Sequence, residues 1–189
     1  MIHRILIVCV GNICRSPMAE VLLRKHLGEG NDIVVESAGL AALVGNPVDP
    51  LVERVLAANG LTGEGHVARQ VTPELLGKAD LVLAMQKRHM DAIHAIAPQS
   101  RGKTFLMGRW DGNCEVPDPY GKTLPVFEES FALIDRTAQA WRRHHHRELG
   151  AANAHARHRL PVRQPVALVV APRRLAGFDE LGASALSVA

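Results

Sequence analysis

The chain has 189 residues, which is long enough for one domain with a hydrophobic core but short for two. It has no run of 18 apolar residues and no signal-peptide pattern, which argues against membrane insertion and export, so we expect a cytoplasmic protein. Basic and acidic residues balance at 16 each over 1–146, and the net charge of +3 comes from six basic and three acidic residues in 147–189, so nothing indicates a nucleic acid partner.

Short apolar runs alternate with segments of helical period, a pattern typical of a parallel α/β sheet. Taken in chain order, the predicted elements are strand Arg4–Cys9, helix 17–27, strand 33–37, helix Pro50–Ala58, helix Pro73–Lys78, strand 80–85, helix Lys87–Ile96, strand 103–106 and helix 126–144. Ser16 and Thr72 are predicted helix caps, each followed by a proline, and Gly28 and Gly60 are predicted to follow helix ends. These elements predict a small doubly wound four-stranded parallel sheet in the order 2-1-3-4, flanked by helices.

The composition changes near residue 146. Residues 147–189 are rich in Ala, Arg, His and Pro and show no sustained period. We therefore expect one domain over 1–146 and a flexible basic extension over 147–189.

The segment CVGNICRS, from Cys9 to Ser16, joins the first strand to the first helix. A tight loop before a helix N-terminus directs several backbone N–H groups and the positive end of the helix dipole toward one point, which favours an anion. Gly11 and Asn12 are residue types that tolerate left-handed backbone conformations. A cysteine at the base of such a loop is favoured as the thiolate, so Cys9 is a candidate nucleophile.

Arg15 and Ser16 complete this loop chemically. A guanidinium presents a planar pair of donors that matches two oxygens of a phosphate. The Ser16 hydroxyl is placed to donate to the sulfur of Cys9 and stabilise its anion. The loop lacks the Gly-Lys-Ser/Thr of a nucleotide-binding P-loop, so we predict phosphate binding without a nucleotide. Each residue alone has an ordinary structural explanation, as a buried strand residue, a surface cation or a helix cap.

If the Cys9 thiolate attacks an aryl phosphate, the departing phenolate oxygen needs a proton from an acid. The segment EVPDPYGK offers Asp118 for this role, after the last predicted strand. Asp118 lies between two prolines, which stiffen the loop, and it should lie at the same end of the sheet as Cys9. It is a candidate general acid and then general base, although Asp-Pro is also common turn chemistry. Tyr120 is a candidate contact for an aromatic ring entering the cleft.

The loop Cys9-x5-Arg15-Ser16 together with Asp118-Pro119-Tyr120 resembles the low-molecular-weight protein tyrosine phosphatases, over about residues 3 to 143. The stretches VESAGLAALVGNP, GHVARQVT and DLVLAMQKRH follow the family's order and spacing. The resemblance implies a cysteinyl-phosphate mechanism without metal or cofactor, with Cys9, Arg15 and Asp118 catalytic and the phosphate held by a loop of Val10, Gly11, Asn12, Ile13, Cys14 and Ser16. It also implies that Asn12, Ser16, Ser37 and His66 form a network that supports that loop.

A finer resemblance, carried mainly by SAGLAALVG, is to bacterial members associated with capsule and exopolysaccharide export. It implies a phosphotyrosine protein as partner, namely a membrane-bound bacterial tyrosine autokinase, and we expect the enzyme itself to be a monomer. Where many members have an aromatic residue beside the cleft, this chain has aliphatic ones such as Leu40 and Leu43. We therefore expect Ile13, Leu43 and Tyr120 to shape the slot for the substrate ring.

Cys14 lies within the same loop and suggests a redox role. A sulfenic acid formed on Cys9 would be captured by Cys14 as a reversible disulfide. The alternative is that Cys14 is only a small residue that fills the loop.

Two other functions remain open from the sequence. A thiol-dependent arsenate reductase shares the loop but needs two later cysteines, and only Cys114 lies downstream. A non-catalytic phosphotyrosine-binding protein would need the loop and Arg15 but has no use for Cys9 together with Asp118.

Overall fold

The computed structural model describes residues 2–28, 30 and 32–157, with side chains described as far as His144. Among these residues, no helix combines the length and the apolar character needed to cross a bilayer. The strands are β1 (Arg4–Cys9), β2 (Val34–Gly39), β3 (Leu81–Ala84) and β4 (Thr104–Leu106). The α-helices are α1 (Arg15–Leu27), α2 (Pro50–Ala58), α3 (Pro73–Lys78), α4 (Lys87–Ile96) and α5 (Leu124–Arg157), and a 3₁₀ helix covers Pro98–Lys103.

The described strands form one parallel sheet in the order β2-β1-β3-β4, as predicted. The alternation of side chains along β1 explains why helices cover both faces. Ile5 and Ile7 belong to the core on one face, and Leu6 and Val8 belong to the core on the other. The first core includes residues of α1, α2 and α5, and the second includes residues of α3 and α4. Because both faces of β1 are buried, its carboxyl end at Cys9 is held in a fixed position.

Each predicted helix and strand is present in the structure, and the differences lie at the residues where some of them begin or end. Thr72 caps α3 as predicted, since its hydroxyl accepts a hydrogen bond from the Leu75 N–H at 3.2 Å. The prediction of Ser16 as a helix cap is wrong, because α1 begins at Arg15, two residues earlier than predicted, and its N-cap is Cys14. The 3₁₀ helix before β4 was not predicted.

Helix α5 continues to Arg157, so residues 147–157 are helical where the sequence predicted the start of a flexible extension. The remainder of that predicted extension, residues 158–189, lies outside the described residues. Its flexibility and the domain boundary near residue 146 stay predictions.

Candidate active site

Cys9 ends β1 and its sulfur lies under the loop that leads to α1. The Asn12 backbone N–H points at the sulfur, with 3.3 Å between N and Sγ. The Ser16 hydroxyl lies 2.9 Å from the same sulfur. The side chain of Cys9 is also nearly inaccessible, at 2 % exposure. The sulfur thus has two potential hydrogen-bond donors around it, one from the backbone and one from a hydroxyl.

The loop owes its shape to one left-handed residue. Asn12 adopts a φ of 57°, as its residue type predicted. The same expectation for Gly11 is wrong, because Gly11 does not adopt a left-handed conformation, and a Cβ there would meet only ordinary contacts with Ile13 and Leu43. The close approach that demands glycine is instead at Gly39 in β2, where a Cβ would collide with the carbonyl oxygen of Val10. The loop therefore packs directly on the end of β2.

The Asn12 side chain holds the loop from behind. Its amide donates to the Ser16 hydroxyl at 2.8 Å and to the Ser37 hydroxyl at 2.9 Å. Its oxygen accepts from the Arg69 backbone N–H at 2.9 Å. The ring Nε2 of His66 lies 2.7 Å from the Asn12 carbonyl oxygen. All of these contacts are to atoms of the loop or its surroundings rather than to the cleft, which gives Ser37 and His66 supporting positions.

Contrary to the sequence prediction, the Ser16 hydroxyl does not cap α1 but makes tertiary contacts. Its hydroxyl contacts Cys9 and Asn12, and α1 has no side-chain cap at its N-terminus. The backbone N–H groups in the first turn of α1 therefore do not donate hydrogen bonds to a capping side chain. They remain available to an anion bound in the loop.

Arg15 lies at the start of α1 with 1 % of its surface exposed. One terminal nitrogen forms an ion pair with Asp118, and the other donates to the Gln86 side-chain oxygen at 3.0 Å and to the Val116 carbonyl at 3.3 Å. Its Nε is buried and has no hydrogen-bond partner among the described residues. The guanidinium is therefore fixed on two sides and retains a donor for a phosphate oxygen.

Cys9, Arg15 and Asp118 line one cleft of about 200 Å³. The other lining residues are Val10, Gly11, Ile13, Cys14, Ala41, Leu43 and Tyr120. Tyr120 is 58 % exposed, and its N–H donates to Asp118 at 3.2 Å. A larger depression of about 420 Å³ lies on the other side of the loop and includes neither Cys9 nor Arg15, so we assign the chemistry to the smaller cleft.

Two members of the predicted phosphate loop do not line the cleft. Asn12 and Ser16 are fully buried and contact the loop from within, as the predicted supporting network requires. Leu40 packs against the core on the α3 and α4 side of the sheet, because the chain turns between Leu40 and Leu43. Of the two aliphatic residues proposed for the wall, only Leu43 faces the cleft.

The sequence profile of the family described as "Low molecular weight phosphotyrosine protein phosphatase" matches residues 4–152. The chain belongs to this family. It is 48 % identical over 141 residues to the low molecular weight protein-tyrosine-phosphatase Wzb of Escherichia coli K12, covering 75 % of this chain and 94 % of that protein. The solved structure of Vibrio vulnificus Wzb in complex with benzylphosphonate is 43 % identical, with a TM-score of 0.72, and the match covers 76 % and 99 % of the two chains.

A more distant member with the same fold is the YwlE arginine phosphatase from Geobacillus stearothermophilus. It is 31 % identical with a TM-score of 0.72, over 77 % of this chain and 94 % of that chain. This protein is a protein-tyrosine phosphatase by its higher identity to the Wzb proteins. The fold alone would not separate the two kinds of phosphatase.

Cys14 of the phosphatase is a buried residue of the loop that follows Cys9, and it lines the cleft. Burial raises the pKa of its thiol, and the nearby carboxylate of Asp49 raises it further. Cys14 is therefore the neutral thiol at physiological pH. Cys9, Cys14 and Cys114 are all free thiols.

The phosphatase site also contains residues that the sequence reasoning missed. Gln86 follows β3 at the same end of the sheet as Cys9, a position that the strand-end argument could have identified. Arg69 reaches Asn12 through its backbone, which no side-chain pattern indicates. Ala41 lines the cleft beside Leu43 but carries no chemical signal in the sequence.

Proposed function

We propose that this enzyme hydrolyses phosphotyrosine through a phosphate ester of Cys9, with Arg15 binding the phosphate and Asp118 transferring protons. The observation that carries the proposal is that the Cys9 sulfur, with its N–H and hydroxyl contacts, lies in the same cleft as the Arg15 and Asp118 side chains. A nucleophile, an anion-binding group and a proton donor at one point are what a two-step displacement at phosphorus requires.

In the first step, the Cys9 thiolate attacks phosphorus while Asp118 donates a proton to the departing phenolate oxygen. Arg15 stabilises the equatorial oxygens of the transferring phosphoryl group, since its Nε is an unused donor. The carboxyl of Asp118 is 38 % exposed, so a leaving group can reach it from the mouth of the cleft.

In the second step, Asp118 is a carboxylate and accepts a proton from the water that attacks the phosphocysteine. The sulfur leaves as a thiolate, which the Asn12 N–H at 3.3 Å and the Ser16 hydroxyl at 2.9 Å stabilise. The same two contacts thus assist Cys9 as nucleophile and as leaving group. Phosphate and the starting form of the enzyme result.

The shape of the cleft supports an aromatic substrate. The Cys9 sulfur is buried, so phosphorus must be carried down to it on a spacer about as long as a phenyl ring. Ile13, Leu43 and Tyr120 supply apolar walls for such a ring. The related Vibrio Wzb binds benzylphosphonate, in which a phenyl ring carries the phosphonate group through one carbon. Phosphoserine lacks this reach and should be a poor substrate.

The experiment is phosphate release from phosphotyrosine peptides by wild-type protein, Cys9→Ser and the matched variant Cys114→Ser. We expect Cys9→Ser to lose turnover and still bind the peptide, and Cys114→Ser to retain wild-type turnover, because Cys114 does not line the cleft. Turnover by Cys9→Ser would remove Cys9 as the nucleophile. Binding without turnover by the wild-type protein would instead identify a non-catalytic phosphotyrosine-binding protein.

Substrate class is tested with the same protein on phosphotyrosine, phosphoserine and phosphoarginine peptides of otherwise identical sequence. Preference for phosphotyrosine is the expected result. Comparable rates on phosphoserine would contradict the depth argument. Faster release from phosphoarginine would place this chain functionally with its more distant relative YwlE.

We further propose that the physiological substrate is a membrane-bound bacterial tyrosine autokinase that controls exopolysaccharide synthesis or export, and that the enzyme acts on it from the cytoplasm as a monomer. The stretch SAGLAALVG and the identity to the Wzb proteins support this proposal. Incubation of the phosphorylated autokinase from the same organism with wild-type protein should remove its phosphotyrosine, and Cys9→Ser should remove none. An autokinase that keeps its phosphotyrosine would contradict this partner.

A further inference from the structure

Gln86 connects the buried arginine of the site to a second arginine at the surface. Its side-chain oxygen accepts from Arg15 at 3.0 Å. The same oxygen accepts from the Nε of Arg88 at 3.2 Å and from one of its terminal nitrogens at 2.9 Å. One neutral oxygen therefore accepts hydrogen bonds from both guanidinium groups and holds the two groups close together.

The charge of Arg88 is not neutralised where it is held. Arg88 is exposed, and among the described residues no carboxylate lies within ion-pair distance of its guanidinium. The nearby carboxylates are engaged elsewhere: Glu115 accepts from the Lys87 N–H at 2.8 Å, and Asp118 pairs with Arg15. The guanidinium of Arg88 is therefore oriented, exposed and close to the arginine proposed to bind phosphate, which makes it suited to binding an anion.

The loop of residues 40–47, which contributes Ala41 and Leu43 to the cleft, has a different character. Its sequence, LAALVGNP, contains no charged residue. Leu43 and Val44 of this loop are 43 % and 66 % exposed. A peptide bound in the cleft therefore meets aliphatic side chains from this loop, while Arg88 lies outside the lining of the cleft and is linked to it through Gln86 and Arg15.

We propose that Arg88 is a specificity-determining residue that binds an anionic side chain, carboxylate or phosphate, adjacent to the phosphotyrosine of the substrate. The inference rests on the proposed tyrosine phosphatase function and names the substrate class of that site. Neighbouring residues of an extended peptide are about 3.8 Å apart at Cα. Once the phosphate lies against Arg15, a flanking acidic side chain is thus within range of a guanidinium held this close to it.

The experiment compares kcat/KM of wild-type protein and Arg88→Ala on four substrates. Two are phosphotyrosine peptides that differ only in carrying glutamate or glutamine at the flanking positions, and the third is p-nitrophenyl phosphate, which has no flanking residue. The fourth is a peptide with a second phosphotyrosine as its flanking residue, which distinguishes a phosphate from a carboxylate. Arg101→Ala is the matched control, because it removes the same charge from an exposed arginine in the 3₁₀ helix before β4, at the other end of the sheet.

We expect Arg88→Ala to lower kcat/KM on the acidic peptide about three- to fivefold, mainly through KM, as for an exposed ion pair worth up to about 1 kcal/mol. On the neutral peptide and on p-nitrophenyl phosphate, Arg88→Ala should change kcat/KM by less than about twofold, and Arg101→Ala should change kcat/KM on none of the four substrates. Added salt should reduce the preference of the wild-type protein for the acidic peptide.

Three other results would each overturn this assignment. An equal loss on all substrates would mean that Arg88 acts only by positioning Arg15 through Gln86. No loss on either acidic peptide would mean that Arg88 does not contact the substrate. If the wild-type protein hydrolysed none of these aryl phosphates, the phosphatase function itself would fail and the inference with it.

Discussion

Arg15 and Asp118 form an ion pair across the cleft although 103 positions of sequence separate them. The pairing joins the group proposed to bind the substrate phosphate to the group proposed to transfer its protons. A phosphate dianion that approaches Arg15 must therefore compete with the Asp118 carboxylate for the same guanidinium. This competition gives Asp118 an effect on anion binding that is separate from its effect on proton transfer.

The variant Asp118→Ala separates these two effects. We expect kcat on phosphotyrosine peptides to fall by about 10²- to 10⁴-fold, since the general acid acts in the transition state. We also expect inorganic phosphate to inhibit about fivefold more tightly, because a repelling carboxylate next to the bound anion is removed. Steady-state kinetics with phosphate as inhibitor measures both.

Leaving groups of different acidity provide the control. A very acidic phenol leaves without protonation, so Asp118→Ala should lose much less activity on its phosphate ester. An equal loss across all phenols would contradict the proton-donor role. Glu115→Ala is the matched carboxylate variant, because Glu115 does not line the cleft.

Asn12 provides the second prediction, because it combines a left-handed backbone with three side-chain hydrogen bonds. Asn12→Gly removes the hydrogen bonds together with the Cβ, whereas Asn12→Ala removes the hydrogen bonds but keeps a Cβ at positive φ, where alanine is less well tolerated than asparagine. We expect the free energy of unfolding to fall by about 1–3 kcal/mol in Asn12→Gly, and by roughly 1 kcal/mol more in Asn12→Ala.

Urea denaturation of the two variants measures these differences, and phosphate release measures the effect on the loop. Both variants should lose activity, because Ser16 and Ser37 lose their partner. Equal stability of the two variants would show that the loop relaxes out of the left-handed conformation when the amide is removed.

The sequence predicted the sheet well because its signals are local. Strand β1 contains the apolar run Ile5–Val8 and ends at a loop, and Pro50, Pro73 and Lys87 begin helices as predicted. The wrong prediction for Ser16 has a physical cause. A serine before a proline looks like a cap, but here tertiary contacts with Cys9 and Asn12 compete for its hydroxyl.

The contacts that complete the site could not be predicted in the same way. The predicted strand order places Gln86 at the same end of the sheet as Cys9, but no residue pattern around Gln86 indicates that its side chain contacts Arg15. The requirement for glycine at Gly39 likewise depends on the approach of Val10 from another element. Such contacts are set by topology rather than by local pattern.

Cys14 provides the third prediction, which concerns oxidation. Hydrogen peroxide converts the Cys9 thiolate to a sulfenic acid and releases hydroxide, which is protonated by solvent, and condensation with the Cys14 thiol forms a disulfide and releases water. Dithiothreitol should then restore full activity to the wild-type protein. Cys14→Ser should be oxidised further to the sulfinic acid and recover little activity.

The rate of this disulfide formation should depend on pH. Burial and the carboxylate of Asp49 raise the pKa of the Cys14 thiol and so keep it protonated. Because the thiolate is the better attacking form, the disulfide should form faster as pH rises. Alkylation of the remaining thiols followed by intact mass measurement follows the reaction, with Cys114→Ser as control. Full recovery of Cys14→Ser would leave Cys14 as a residue that merely fills the loop.

His89 provides the last prediction, which concerns acid stability. Its ring is 2 % exposed, and neither ring nitrogen has a hydrogen-bond partner among the described residues. Burial, with a further contribution from the charges of Arg15 and Arg88, lowers the pKa of His89 from 6.5 to about 4. Asp118 and Glu115 oppose this shift but do not reverse it.

The folded protein therefore holds His89 neutral, while the unfolded chain binds a proton below about pH 6.5. Stability from this residue is complete above pH 6.5 and is lost as pH falls toward 4, by on the order of 2–3 kcal/mol. His89→Leu should show a smaller decrease in the free energy of unfolding between pH 7 and pH 4.5. His3→Gln, which removes an exposed histidine, controls for the change in net charge. Urea denaturation across this range tests the prediction, and parallel curves for wild-type protein and His89→Leu would contradict it.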